Sequence, residues 1–568
     1  MRHMACLLAH AAWLGSSIEE YWRFRQALRN PAAAQRELLM RYLRDNADTV
    51  LGRQLGLRSI RSISEFQRCV PLSQYEDFAP LMDRIMAGDP AILTREPVGR
   101  LVPTSGSAHA RKLIPYTATL QREFRRAIRA WIVDLYGRHP SLVGGPAYWS
   151  ISPMGSFAGE RESAVPIGFD DDTAYLGGFA RRLVQCTLAV PSAVRLIEDI
   201  ESSRYVTLAF LLRARGLRMI SVWHPSFLTL LLEPISRFWE SLIRDIRDGT
   251  LSPPAGLTSD VRTSLKSHML ADPHRARQLS HIDPCNFTGI WPRLGLISSW
   301  GDGHSTAYLD GLRREFPRAA IQLKGLVATE AIMTLPFGDS HPLAVRSHFF
   351  EFLSDDGVAH LAHEIETGCE YSVALTTGGG LCRYQLHDRV RVVGRCWRTP
   401  SLTFVGKDGG VCDRFGEKLS PRFVAQALNR VFAEQRLRPA FALLAPQSDS
   451  FGWRYVLHVD LADRVPAGLA EALECALLQN PHYRYCVALG QLKPAEVCRT
   501  APGALGRYID ELCRRGQRAG EIKPSPLDSN PGWSKILGSS ANQQRVTAAA
   551  VWSGQPHPEC STPGEARL

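Results

Sequence analysis

Lysine is scarce in this chain. Eight lysines stand among 568 residues, at Lys112, Lys266, Lys324, Lys407, Lys418, Lys493, Lys523 and Lys535, although lysine and arginine together number 67. A lysine inside a motif is therefore informative, because a compact ammonium reaches a phosphate at points too narrow for a planar guanidinium. Other absences exclude whole classes. No C-x-x-C occurs, and the 13 cysteines are odd in number, so neither a zinc site nor a disulfide framework is expected. Reduced thiols of a cytoplasmic protein are the simplest reading. No apolar run reaches the roughly 18–20 residues that span a bilayer, so no membrane partner is expected. Gly155-Ser156-Phe157-Ala158-Gly159 lacks the G-x-S-x-G spacing of a nucleophile elbow. His360, His363 and Glu364 run H-x-x-H-E rather than H-E-x-x-H, which reads as a solvated helix face. Internal repeats are absent.

What is present is ordinary for a globular protein: 45% hydrophobic and 22% charged residues, in a length that suits two to four domains. The net charge of +11 favours anionic small molecules or an acidic partner. The arginines are spread along the chain rather than clustered with aromatics, so no nucleic-acid partner is expected. Met4–Leu14 is apolar behind Arg2, but the amphipathic pattern continues through Ser16–Arg29 without a clean cleavage site. It reads as a first buried helix rather than a signal peptide.

Residues 17–90 read as helical, with Leu38, Leu39, Tyr42 and Leu43 on one face of Gln35–Asn46. Ser73-Gln74-Tyr75-Glu76 has the spacing of a capping box. Over 101–400, strand-like segments (Ala147–Ile151, Met219–Val222, Ile321–Ala328) mix with helix-like ones (Thr119–Tyr136, Ala193–Glu201). The fold class expected is α/β: a large N-terminal domain of mixed sheets and helices over 1–419, then a small mobile α+β domain over 420–524. Leu402–Val405 and Val411–Arg414 flank Asp408-Gly409-Gly410 as a hairpin would. The small domain is read as a helix at 421–434, strands near 439–445 and 452–460, a helix at 467–478, a strand at 483–489 and a helix at 502–515. Residues 525–568, rich in Ser, Pro, Gly, Gln and Asn, are read as a mostly disordered tail.

The chemistry begins at Thr104-Ser105-Gly106-Ser107, followed by Lys112. Small residues let backbone N–H groups approach phosphate oxygens, hydroxyls add donors, and lysine adds a point charge. It is not a Walker A loop, because Lys112 precedes a leucine and the glycine spacing differs. Three further segments follow in order. Gly325-Leu326-Val327-Ala328-Thr329-Glu330 ends in a hydroxyl that can donate to a phosphate and a carboxylate that can hold Mg²⁺. Cys382–Asp388 ends in a carboxylate able to accept from both ribose hydroxyls. Phe404-Val405-Gly406-Lys407 precedes Phe415-Gly416-Glu417-Lys418-Leu419. Each alone also reads as a strand end, a surface charge, a hairpin or a helix cap.

Together this ordered set resembles the adenylate-forming superfamily, and more narrowly the auxin-responsive promoter (Gretchen Hagen) family of acyl-acid amido synthetases, from about residue 20 to 524. Asn46–Gly56, Val70–Asp77, Ala91–Val98, Trp223–Phe227 and Gly520–Pro524 carry the same likeness. The resemblance implies that Thr104, Ser105, Gly106 and Ser107 form the phosphate loop with Lys112 at its edge. It implies Thr329 and Glu330 at the α-phosphate and metal, Asp388 at the ribose and Lys418 near the nucleotide. Lys523 would enter the site during adenylation. The implied cofactors are ATP and Mg²⁺. The implied partners are a small carboxylic acid and an amine or amino acid, joined through an acyl-adenylate with release of AMP and pyrophosphate. Transfer to a thiol and a nucleotide-binding homologue without turnover are the alternatives. Arg125, Arg129 and Trp131 are placed for an acyl pocket or for core packing. The oligomeric state is left open, a monomer among the choices.

The departures from the family pattern are specific. Ala108-His109-Ala110 stands where glycine-containing sequence is usual, His387 stands where glycine usually precedes the ribose aspartate, and Lys407 replaces a frequent arginine.

Overall fold

Among the described residues, short apolar segments separated by helical ones build four sheets. The computed structural model describes residues 2–104, 112–150, 163–168, 178–302, 306–407, 412–449, 452–515, 517, 519–538 and 545–547. The chain divides into two compact units, Met1–Asp408 with Ile509–Lys523, and Gly409–Tyr508 with Pro524–Leu568.

In the larger unit, β1 (Arg100–Pro103) and β2 (Leu113–Tyr116) pair antiparallel. Strands β3 (Ala147–Trp149), β4 (Met219–Ser221), β5 (Leu296–Ser299) and β6 (Ala320–Leu323) form a parallel sheet in sequential order. Ala147, Met219 and Leu296 stand in one register row, and Tyr148, Ile220, Ile297 and Ile321 in the next. Successive side chains of a strand point to opposite faces, and the two rows enter different apolar clusters. Strands β3, β4 and β5 are covered on both faces, which is why they read as largely apolar runs, while β6 at the edge is partly exposed. One face is covered by helix Ala118–Arg138 through Ile132 and Leu135, together with Trp13 of helix Arg2–Ala27. The N-terminal segment thus forms a helix that buries Cys6, Ala9, Trp13 and Phe24. No helix among the described residues is long and apolar enough to cross a membrane.

The third sheet is antiparallel, in the order β11-β10-β9-β7-β8: β7 is Phe349–Leu353, β8 Ala359–Leu361, β9 Glu370–Thr376, β10 Tyr384–Cys396 and β11 Thr399–Lys407. Leu402–Val405 therefore pairs with β10 and not with the segment beyond Asp408. Cys412 pairs instead with Leu419, and residues 408–411 lie outside the described set. His360 lies on β8 rather than on a helix, and Leu361 N–H donates to Glu364 just beyond that strand. Two further local readings shift. Gln74, not Ser73, is the N-cap of helix Tyr75–Met86, with Asp77 completing the capping box, because the Ser73 hydroxyl donates to Cys382 O. Ala193–Glu201 divides into a short 3₁₀ turn and the start of helix Ile200–Arg213, whose N-cap is Asp199.

In the smaller unit, helix Pro421–Glu434 begins as its Ser-Pro signal predicts, with Ser420 as N-cap. Strands β12 (Phe441–Asp449) and β13 (Gly452–Asp460) are antiparallel. The segment read as a strand at 483–489 is helix Pro481–Ala488. The Asn480 side chain caps two N–H groups there, and Pro481 occupies the first helical position. The sheet is completed by β14 (Glu496–Arg499), parallel to β13, and β15 (Arg545–Thr547), antiparallel to β14. Order also extends into the polar C-terminal stretch: Trp533 is buried and stacks on Tyr508 at 5.0 Å between ring centroids. Composition averaged over that stretch hides a single aromatic anchor.

Candidate functional site

The β1–β2 hairpin holds the two ends of the hydroxyl-rich loop. Thr104 N–H donates to Lys112 O at 2.9 Å, so both residues stand at the base of the connection. Ser105, Gly106 and Ser107, with Ala108-His109-Ala110, lie outside the described residues. Lys112 Nζ is 5.6 Å from the centroid of the Tyr75 ring, and the Tyr75 hydroxyl accepts from Leu113 N–H at 2.8 Å.

Thr329 and Glu330 occupy the tip of a tight hairpin. Val327 pairs with Ile332, Ala328 N–H donates to Ala331 O, and Met333 N–H returns to Leu326 O. Gly325 makes the hairpin possible, since a Cβ there would sit 2.1 Å from Thr334 O. Glu330 is buried. Burial pushes its carboxyl above the usual range; its own N–H and the Lys407 ammonium pull it back, Asp388 raises it, and Lys112 lowers it. These influences place Lys112, Lys407, Asp388 and Glu330 in one electrostatic neighbourhood. The Tyr384 hydroxyl belongs to it as well, raised first by burial and then by Glu330.

Asp388 is nearly buried, and its Oδ1 has no hydrogen-bond partner among the described residues. A buried carboxylate oxygen with unused acceptor capacity is suited to the paired hydroxyls of a ribose. Lys407 Nζ stands 3.6 Å from it, and Asp388 in turn holds the ammonium charged. His387 adopts φ +58° at a register break between β10 and β9. This is the left-handed region that glycine enters without a Cβ penalty, which gives the glycine that the resemblance implies at this place a backbone reason.

The C-terminal ends of the parallel strands supply a second group. Open α/β sheets bind ligands at this edge. Trp300 follows β5 and its ring packs 5.5 Å from Phe404, whose N–H donates to Asp302 Oδ2 at 3.1 Å. Burial raises the Asp302 carboxyl. Lys523 Nζ lies 3.9 Å from the Trp300 ring centroid, a cation–π contact within the larger unit. Lys324 follows β6; its Nζ donates to Ser221 Oγ at 2.8 Å and lies 4.8 Å from the Trp223 ring centroid. The His224 side chain caps the next helix by accepting from Ser226 N–H at 3.2 Å, which accounts for Trp223-His224-Pro225-Ser226. Trp131 Nε1–H donates to Gln322 Oε1 at 3.0 Å, and its ring faces Trp149. Arg125 is half-buried, its charged form disfavoured first by burial and then by Arg129.

Lys418 belongs to the smaller unit. It has φ +44°, and its carbonyl accepts from Asn480 Nδ2 at 3.3 Å. The preceding Glu417 is fully buried and receives Arg414 N–H, Phe415 N–H and the Tyr455 hydroxyl. The glutamate of Gly-Glu-Lys thus builds the turn that presents the lysine. Sequence reasoning passed over Trp300, Asp302, Lys324 and Tyr384. Lys324 had a usable signal, as one of the rare lysines immediately after a strand.

Residues 21–321 match the GH3 family N-terminal domain, 341–407 its central domain and 422–531 its C-terminal domain. A probable indole-3-acetic acid-amido synthetase of Oryza sativa subsp. japonica is 26% identical, over 67% of this chain and 70% of its own length. A jasmonoyl–L-amino acid synthetase of the same plant is 23% identical, over 90% of this chain and 95% of its own. The solved structure of GH3.15 acyl acid amido synthetase in complex with 2,4-DB aligns with a TM-score of 0.81 at 22% identity. It covers 93% of this chain and 97% of that one. The chain belongs to the GH3 family.

Proposed function

We propose that this protein is an ATP-dependent acyl-acid amido synthetase. The observation that carries the reading is the pair of buried carboxylates, Glu330 and Asp388, sharing one electrostatic neighbourhood with Lys407 and Lys112, with an unused acceptor on Asp388. Relatives named as amido synthetases of indole-3-acetic acid and of jasmonate with amino acids support a small carboxylic acid and an amino acid as substrates.

In this reading the carboxylate oxygen of the acid attacks the α-phosphorus of ATP, and the bond to the β-phosphate oxygen breaks to release pyrophosphate. A neutral amine then attacks the acyl carbon, AMP leaves, and the amine gives up its proton. Asp388 accepts from the ribose hydroxyls and fixes the nucleotide's orientation. Thr104, Ser105, Gly106, Ser107, Lys112 and Thr329 hold phosphate oxygens by hydrogen bonds and charge. Lys523 places positive charge where negative charge accumulates as pyrophosphate departs. Glu330 is an oxygen ligand of the kind Mg²⁺ takes, and a bound ion would neutralise phosphate charge. No side chain need form a covalent intermediate, so positioning carries most of the rate.

The test is pyrophosphate release by the full chain with ATP, Mg²⁺, a panel of aromatic and aliphatic carboxylic acids, and amino acid or thiol acceptors. Release that requires an acid, with an amide as product and a large loss in Lys523→Ala, is expected. No release across the panel would sink the proposal, and a thioester product would redirect it.

A further inference from the structure

Glu123, on helix Ala118–Arg138, is fully buried and accepts from three separate segments. The Tyr42 hydroxyl donates to Oε1 at 2.6 Å; Gly378 N–H and His348 Nδ1–H donate to Oε2, each at 3.0 Å. Gly378 must be glycine for this, since a Cβ would lie 2.6 Å from Glu123 Oε1. His348 is also fully buried, with Phe124 and Phe350 edge-on at 5.7 and 5.9 Å between centroids. Its Nε2 accepts Ile332 N–H at 3.2 Å. That bond assigns the imidazole proton to Nδ1, the nitrogen facing Glu123.

The placement of these contacts gives them meaning. Ile332 is two residues beyond Glu330 on the hairpin that presents it. Gly378 stands in the turn that returns the chain into β10, the strand bearing Asp388. Helix Ala118–Arg138 starts directly after β2, which follows Lys112. Glu123 therefore sits on the helix that follows Lys112 and touches the turn before the Asp388 strand, and through His348 it reaches the hairpin of Glu330. Burying a carboxylate is costly, and an apolar core is no less stable at such a place. What the network adds is direction, because each donor satisfies it in one geometry only.

We propose that Glu123 and His348 form a positioning pair that fixes the Glu330 hairpin for Mg·ATP, acting through Ile332 N–H. The inference rests on Glu330 serving the nucleotide site. Two substitutions separate the two faces of the imidazole. His348→Asn keeps a donor near Nδ1 and drops the acceptor at Nε2; His348→Gln does the reverse. Amide exchange across residues 326–334 and the KM for Mg·ATP are measured on the full chain. His348→Asn should lose Ile332 protection and raise that KM about tenfold, with a change of about twofold or less in the KM for the acid. His348→Gln, which keeps the Ile332 bond and loses the one to Glu123, should fall between, with partial protection and that KM raised about threefold. Equal behaviour of the two variants, or lost protection with an unchanged KM, overturns the proposal. So does rapid exchange of the Ile332 amide in the unmodified chain, a reading that needs no variant to fold. If the unmodified chain binds Mg·ATP but releases no pyrophosphate, the amido-synthetase reading fails alone, and Mg·ATP affinity by calorimetry replaces KM. A chain that binds no Mg·ATP overturns both.

Discussion

Asp388 and Lys407 are direct cross-strand partners on β10 and β11, with Lys407 Nζ 3.6 Å from Asp388 Oδ1. The carboxylate is buried at its strand while the lysine side chain reaches into solvent. The ammonium offsets the cost of burying Asp388 and leaves its acceptor capacity for a ligand. Lys407→Met should therefore raise the KM for ATP by about fivefold, the range of one partly solvated ion pair. Lys407→Arg should restore most of the affinity, since either cation serves. Steady-state pyrophosphate release at varied ATP checks both, and equal affinities in Met and Arg variants would refute the pairing role.

The backbone at His387 makes a second prediction. Its φ of +58° places a Cβ against its own chain, at a cost of about 1 kcal/mol or somewhat more for an L-residue. His387→Gly and His387→Ala both remove the imidazole, so their difference isolates the backbone. The glycine variant should be more stable than the alanine variant by about 1 kcal/mol in denaturant unfolding. Equal stabilities would mean that this bend relaxes once the ring is gone.

How much of this was legible in the sequence depends on the range of the signal. Local chemistry read well: Ser420-Pro421 opens a helix at that point, and the apolar runs of β3 and β4 were strands because both of their faces are covered. Short apolar runs near a helix signal read poorly. Residues 483–489 look strand-like by composition, yet Asn480-Pro481 caps a helix there, and the strand that completes the sheet is the four-residue Glu496–Arg499. Glu330, Asp388 and Lys112, the residues proposed for the site, could be picked out because hydroxyl, carboxylate and lysine follow one another along the chain in the order of the family it resembles. Glu123 and His348 could not, since nothing in a sequence joins residues 225 positions apart.

Glu330→Gln probes the proposed metal and phosphate carboxylate. Glutamine fills the same buried volume and keeps an acceptor, so the hairpin from Leu326 to Thr334 should persist. It removes the charge that would hold Mg²⁺, and kcat for pyrophosphate release should fall about 100-fold or more, as for loss of a transition-state stabiliser. The Mg²⁺ concentration giving half-maximal rate should rise as well. A variant with near-normal turnover and metal dependence would remove Glu330 from the site.

His10 supplies a prediction about acid stability that is independent of catalysis. Its Nδ1 accepts Gly144 N–H at 3.1 Å, so its proton sits on Nε2 and faces the Tyr136 hydroxyl at 3.0 Å. Burial lowers its pKa from 6.5 to about 4. Between those values the unfolded chain binds a proton that the native chain does not. Stability from this site is therefore fully present above the unfolded pKa and is lost as pH falls toward the folded one. His10→Asn retains an acceptor near Nδ1 and cannot titrate there. Denaturant unfolding of both proteins from pH 7 to 4.5 should show the unmodified chain losing up to about 1.4 kcal/mol more per pH unit below 6 than the variant. The effect should reach the contact of helix Arg2–Ala27 with helix Ala118–Arg138, because Tyr136 lies on the latter. Parallel pH profiles would show that His10 takes up its proton as readily in the folded chain as in the unfolded one.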